Sequence, residues 1–151
     1  MSIIAFIPVR AGSKSIPGKN IKNFCGKPLI YWSLIELENS ELIDKIIVAT
    51  DSDNIFQVVE GFGFTKVKLY RRSNENAQDH STSESIMLEY IHYAKLSPED
   101  TFMLVQATSP FTRTADFNNG LKLMKKHDTV FSCAKIKRFI WDKNGTPLNY
   151  D

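Results

Sequence analysis

Along the chain, short apolar runs alternate with longer stretches in which apolar residues return at helical spacing. Ser2–Val9 ("SIIAFIPV") is almost continuously apolar, the pattern of a strand covered on both faces, as in a parallel sheet. Pro28–Glu38 opens on a proline, favoured in a first helical turn, and spaces Leu29, Trp32, Leu34 and Ile35 as one face of a helix would. Lys45–Ala49 is β-rich and runs into "TDSD", where Thr50, Asp51 or Ser52 can cap a helix over Asn54–Gly61. The alternation then repeats, with Lys66–Tyr70 as a third strand. The stretch "STSESIMLEYIHYAK" (81–95) reads as a helix with Ser81 and Glu84 at capping-box spacing and a stripe of Ile86, Tyr90, Ile91 and Ala94. Thr101–Val105 follows as a fourth strand, Ala115–Lys126 as a helix carrying Phe117, Leu121 and Met124, and Thr129–Ile136 as a fifth strand. Alternating elements on short loops predict an α/β, three-layer sandwich around a mostly parallel sheet.

In such sheets ligands bind beyond the carboxyl ends of the strands. That rule gathers four polar loops, "RAGSKSIPGKN", "TDSD", "RRSNENAQDHSTS" and "QATSPFTR", around one cleft. The first of them changes the picture most. Arg10, Lys14, Lys19, Lys22 and Lys27 all precede Glu36, the first acidic residue of the chain, so the cations have no local counter-charge and an anion is expected there. The imbalance is local, because the net charge of the whole chain is only +2, which argues against a general nucleic-acid binder. A length of 151 residues with 42% apolar and 24% charged positions fits one domain with a sizeable core. No apolar run approaches the roughly 18 residues that span a bilayer, and Met1–Val9 is too short for a signal-peptide core, so a cytoplasmic protein without a membrane partner is expected. Cys25 and Cys133 lie far apart without zinc spacing and are read as thiols without disulfide or metal chemistry. Asn144-Gly145-Thr146 is read as a turn.

Two familiar phosphate binders are excluded by spacing. A Walker A loop holds four residues between its glycines, whereas Gly12 and Gly18 enclose five, including Pro17, and Lys19 is followed by Asn20. A dinucleotide fingerprint opens directly into a helix, which Pro17 and the distance to Pro28 deny. What remains is a loop whose backbone donors, Ser13 hydroxyl and mobile cations can wrap a triphosphate.

"IPVRAGSKSIPGKN" (7–20) resembles the signature of the CMP-sialic acid synthetases (acylneuraminate cytidylyltransferases). "ATD" at 49–51, "RRSNENAQDHSTS" at 71–83 and "QATSP" at 106–110 are similar to that family in order and spacing, so the resemblance covers nearly the whole chain. It implies a nucleotidyltransferase-type fold and a reaction in which the anomeric hydroxyl of an acidic nine-carbon sugar attacks the α-phosphorus of CTP and pyrophosphate departs. It further implies that Arg10, Gly12, Ser13, Lys14, Lys19 and Asn20 form the CTP-binding loop, with Arg10 and Lys19 catalytic and Lys19 facing the leaving phosphates. By the same resemblance Arg72 and Ser83 help hold the cytidine portion, Arg72 being preferred to Arg71 because it keeps the seven-residue step to Asp79. Gln106, Thr108 and Ser109 match the region facing the sugar.

Each role has a structural rival. Ser81 and Ser83 can be helix caps, Asp51 can cap a helix, contact nucleotide or approach a metal, and Pro110 can simply end a strand. His80, His92 and His127 have no matched partners, and Trp32 and Trp141 are read as packing residues. Family members are longer, so the resemblance implies a chain truncated at its carboxyl end: a nucleotide-binding domain over 1–136 and, over 137–151, the start of a dimerisation region. A homodimer is expected of the full-length protein. Mg2+ is the implied cofactor, with its ligands expected in the missing portion and none assigned here. Two alternatives stand beside this reading: the cytidylyltransferase of the eight-carbon acid sugar of lipopolysaccharide (KDO), which shares an "IPAR-GS" type opening, and a nucleotide-binding module without catalysis.

Overall fold

The computed structural model describes residues 1–12, 16–77, 81–135 and 138–149. The first apolar run forms strand β1 (Ile3–Pro8), in which four successive residues, Ile4 to Ile7, are buried. A small antiparallel hairpin follows, β2 (Asn23–Phe24) and β3 (Lys27–Pro28), turning on Cys25 and Gly26 at φ 52° and 86°. Two positive φ values in succession are what a tight hairpin needs to match strand twist, and glycine takes the second without steric cost. The hairpin was not expected, because strands of two residues are too short to show alternation. Helix α1 (Leu29–Glu38), strand β4 (Lys45–Thr50), helix α2 (Asp53–Glu60), strand β5 (Val67–Arg71), helix α3 (Ser83–Ala94), strand β6 (Thr101–Leu104) and helix α4 (Thr114–Leu123) complete the order.

Four strands form one all-parallel sheet in the order β5-β4-β1-β6. Register is set by pairs such as Ile7 with Val48 and Ile4 with Phe102. Alternate β1 residues point to opposite faces and meet different helices. Ala5, Ile7 and Val9 pack with Ile30 and Leu34 of α1, Ile55 and Val59 of α2, and Phe117 and Leu121 of α4. On the other face Ile4 and Phe6 meet Ile86 and Tyr90 of α3. The Phe6 ring lies 5.3 Å from Tyr90 and 5.2 Å from Phe102, centroid to centroid. Truncating Phe6 to alanine removes the centre of that cluster, a change that costs about 3–5 kcal/mol in well-packed cores. The result is the expected three-layer sandwich.

Two local expectations are corrected. Thr129–Ile136 was expected as a fifth strand, but residues 129–135 are irregular, with Phe131 82% exposed; Ile136 lies outside the described residues. The β propensity of this run finds no neighbouring strand, and propensity is expressed only through cross-strand partners. The cap of α3 is Thr82 rather than Ser81: the Thr82 hydroxyl accepts from the Ser85 N–H at 3.0 Å, while the Ser81 hydroxyl donates to the Glu75 carbonyl at 2.8 Å. Elsewhere Ser52, one of the three candidates, caps α2 by accepting from Ile55 N–H. The turn at Asn144-Gly145 forms, with Gly145 N–H donating to Asp142 and a positive φ of 84° at the glycine.

Candidate nucleotide site

From β1 the chain moves to β4 and β5 on one side, then crosses to β6 on the other. The carboxyl ends of β1 and β6 therefore flank a topological switch point, the crevice in which open α/β sheets bind ligands. A cavity of about 290 Å³ opens there.

Its first wall comes from the loop after β1. The Val9 N–H still bonds the Ala49 carbonyl at 2.9 Å, and the next anchor is the Ala11 N–H, which donates to the Asp51 carboxylate at 3.0 Å. Gly18, at φ 63°, turns the chain into a short 3-10 turn over Lys19–Ile21. That turn brings Lys19 and Asn20 back to the cavity beside Arg10, and the buried Asn20 amide donates to the Arg10 carbonyl at 3.4 Å.

The second wall comes from the loop after β5. Arg72 is only 7% exposed, and its backbone N–H extends the pairing with β4 by bonding the Thr50 carbonyl. Its terminal Nη2 donates to the Asn76 carbonyl, but its Nε–H is buried with no acceptor among the described residues. Burial pulls the guanidinium below its ordinary pKa; Asp51 and Glu89 oppose this, and the like charge of Arg10 adds to it. Arg71 turns elsewhere, pairing with Asp53 and lying 4.7 Å over the Phe56 ring. Ser81, Thr82 and Ser83 bring the amino end of α3 to the lining, and with it the positive end of a helix dipole. Gln106, Ala107 and Thr108, after β6, close the third side.

Seven of the residues singled out by sequence thus share one cavity: Arg10, Lys19, Asn20 and Arg72 on the cationic side, Ser83, Gln106 and Thr108 on the neutral side. Gly12 and Ser109 stand outside its lining. Ser13 and Lys14 lie outside the described residues, as do Asp79 and His80. Three cations and no carboxylate line the cavity among the described residues.

Three contributions escaped the sequence reading. Ser81 and Thr82 line the cavity, and Ile86 gives it an apolar floor. Asp51 does not cap α2; it holds the first turn of the opening loop through Ala11. Glu89, inside α3, accepts hydrogen bonds from Tyr70 in β5 and from Ser73 and Asn76 in the loop that carries Arg72. No sequence signal marks it, because its partners precede it by 13 to 19 residues. For a divalent metal the fit is poor: among the described residues no group of three or more His, Cys, Asp or Glu is placed to hold one. No helix among them is long and apolar enough to cross a membrane.

The chain is similar to known proteins in both sequence and fold. A family profile described as Cytidylyltransferase matches residues 4–139. An N-acylneuraminate cytidylyltransferase from Oncorhynchus mykiss is 37% identical over 159 residues, covering 99% of this chain and 35% of the relative. A CMP-N,N'-diacetyllegionaminic acid synthase from Legionella pneumophila is 34% identical over 83% of this chain and 54% of its own length. Among solved structures, a CMP:2-keto-3-deoxy-manno-octonic acid synthetase complexed with CTP superposes with a TM-score of 0.69 at 25% identity, covering 86% of this chain and 50% of that one. A 4-diphosphocytidyl-2C-methyl-D-erythritol synthase from Anaerococcus prevotii, at 19% identity and a TM-score of 0.68 over 97% of this chain, shares the fold. The chain spans about a third of the length of the Oncorhynchus mykiss relative. With its profile match running from β1 past α4 and its basic cavity at the switch point, the chain belongs to the cytidylyltransferase family.

Proposed function

We propose that this chain is the nucleotide-binding part of an enzyme that activates a nonulosonic acid of the sialic acid type with CTP, giving the CMP-sugar and pyrophosphate. The observation that carries the reading is the cavity at the switch point, lined by Arg10, Lys19 and Arg72 without a carboxylate among the described lining residues. The sugar's anomeric hydroxyl oxygen forms a bond to the α-phosphorus and gives its proton to solvent, and the bond from that phosphorus to the bridging oxygen breaks, leaving its electron pair on pyrophosphate. Both reactants are anionic and charge accumulates on the leaving group, so fixed cations lower the barrier more than they aid ground-state binding. Arg10 and Lys19 take that role, Lys19 at the leaving phosphates. Arg72 and Ser83 hold the cytidine portion, Gly12, Ser13, Lys14 and Asn20 belong to the loop around the phosphates, and Gln106 and Thr108 face the sugar with amide and hydroxyl groups, Ser109 following them outside the cavity lining. The triphosphate brings Mg2+ as its companion, and no step is assigned to the metal because the described residues form no ligand set for it. The full-length protein is a cytoplasmic homodimer in this reading, with 137–151 beginning the dimerisation region.

The test is pyrophosphate release from CTP, Mg2+ and N-acetylneuraminate, with CTP binding measured in parallel. Release matched by CMP-sugar is the expected result. CTP binding without release by any acid sugar would identify a nucleotide-binding module instead, and absence of both would overturn the reading. The eight-carbon acid KDO is the second substrate to try, because the CTP-complexed synthetase for that sugar superposes on this chain.

A further inference from the structure

We propose that Glu89 is a positioning residue: its carboxylate fixes the loop after β5 so that the Arg72 guanidinium is held at the cavity wall. The proposal rests on the CTP reading of the cavity. One carboxylate oxygen accepts from the Tyr70 hydroxyl at 2.7 Å and the Ser73 N–H at 3.0 Å; the other accepts from the Ser73 hydroxyl and the Asn76 amide. These three residues straddle Arg72, and the Asn76 carbonyl is the acceptor that fixes Arg72 Nη2. A continuous chain of hydrogen bonds therefore runs from helix α3 through Asn76 to the guanidinium.

The choice of side chain follows from the donor count. Four donors converge on two oxygens, which suits an acceptor-only group; an amide would turn its own NH2 against donors on one side. Burial works against the charge, yet the bonds from Asn76, Ser73 and Tyr70 outweigh it and hold the Glu89 carboxyl near pKa 2. Glu89 also lies close enough to Arg72 to favour its charged form. Neither effect requires Glu89 to touch a ligand, and it is absent from the cavity lining.

Two readouts separate this role from general support of the fold. The first is the side-chain Nε–H resonance of Arg72 by NMR in wild type, Glu89→Gln and Asn76→Ala, which needs no nucleotide. The proposal expects a dispersed, slowly exchanging signal in wild type that moves to the solvent-averaged position in both variants; an unaltered signal in both overturns it. Asn76→Ala decides this alone if Glu89→Gln does not fold. The second is a double-mutant cycle on CTP affinity: Glu89→Gln weakens binding about tenfold with kcat within about twofold, and this loss vanishes in an Arg72→Ala background. An equal loss in the Arg72→Ala background overturns the proposal by showing that Glu89 acts independently of Arg72. If wild type binds no CTP, the functional reading falls and the Arg72 resonance still decides whether Glu89 positions it.

Discussion

Two loops meet at the cavity and solve opposite problems. The loop after β1 concentrates cations and supplies no carboxylate of its own; its first turn is held by one borrowed group, Asp51, on the Ala11 N–H. The loop after β5 is tied down by a half-buried network in which Glu89 satisfies Tyr70, Ser73 and Asn76 and leaves a single guanidinium at the cavity. The first loop brings Arg10 and Lys19 to the cavity lining, whereas in the second a carboxylate gathers neutral donors so that one guanidinium is aimed.

That contrast can be broken in order of effect. Lys19→Ala should slow pyrophosphate release about a hundredfold, near 3 kcal/mol of transition-state stabilisation, with little change in melting temperature. A variant with the parental rate would mean that the first loop is a solvated basic segment. Asp51→Ala removes the only described acceptor of the Ala11 N–H and should lower kcat/KM about tenfold by loosening the geometry of the cations behind it; steady-state kinetics on the two proteins decide it. Acid should act on the second loop. Because the Glu89 carboxyl is held near 2, below its ordinary 4.5, its stabilisation is present in full above about pH 4.5 and drains away as the pH falls towards 2. Thermal melts should therefore show wild type and Glu89→Gln converging over that interval, and a gap that stays constant would remove the hub from the comparison. Arg71→Ala should do least, changing activity less than twofold and stability by less than about 0.5 kcal/mol, since its pair with Asp53 is exposed on both sides. A large loss of CTP affinity in Arg71→Ala would exchange the roles of the two arginines.

Most of the architecture was legible because buried parallel strands cannot hide their composition. Ile3–Pro8 and Lys45–Thr50 are covered on both faces and read as apolar runs, while α2 and α4 show their inward stripes through Ile55, Val59, Phe117 and Leu121. The cationic loop was equally visible, because a missing carboxylate is a property of sequence alone. What stayed hidden depends on neighbours. Thr129–Ile136 has the residues of a strand and, over 129–135, no strand beside it. Thr82 takes the α3 cap because Ser81 is drawn to the Glu75 carbonyl, a contact made by the fold of the preceding loop. Glu89 looks like one more charged residue on a helix until the loop before it closes over the carboxylate.

The pairing order of the sheet has a consequence for synthesis. β1 is made first and lies at the centre, yet one neighbour begins at Lys45 and the other at Thr101, about a hundred residues downstream. At roughly 5–20 residues per second, the ribosome takes about 5–20 s to deliver β6 after β1 has been made. Throughout that interval an apolar segment waits with at least one edge unpaired, so the strand that opens the binding cavity is also the one most in need of protection by chaperones while the chain is growing.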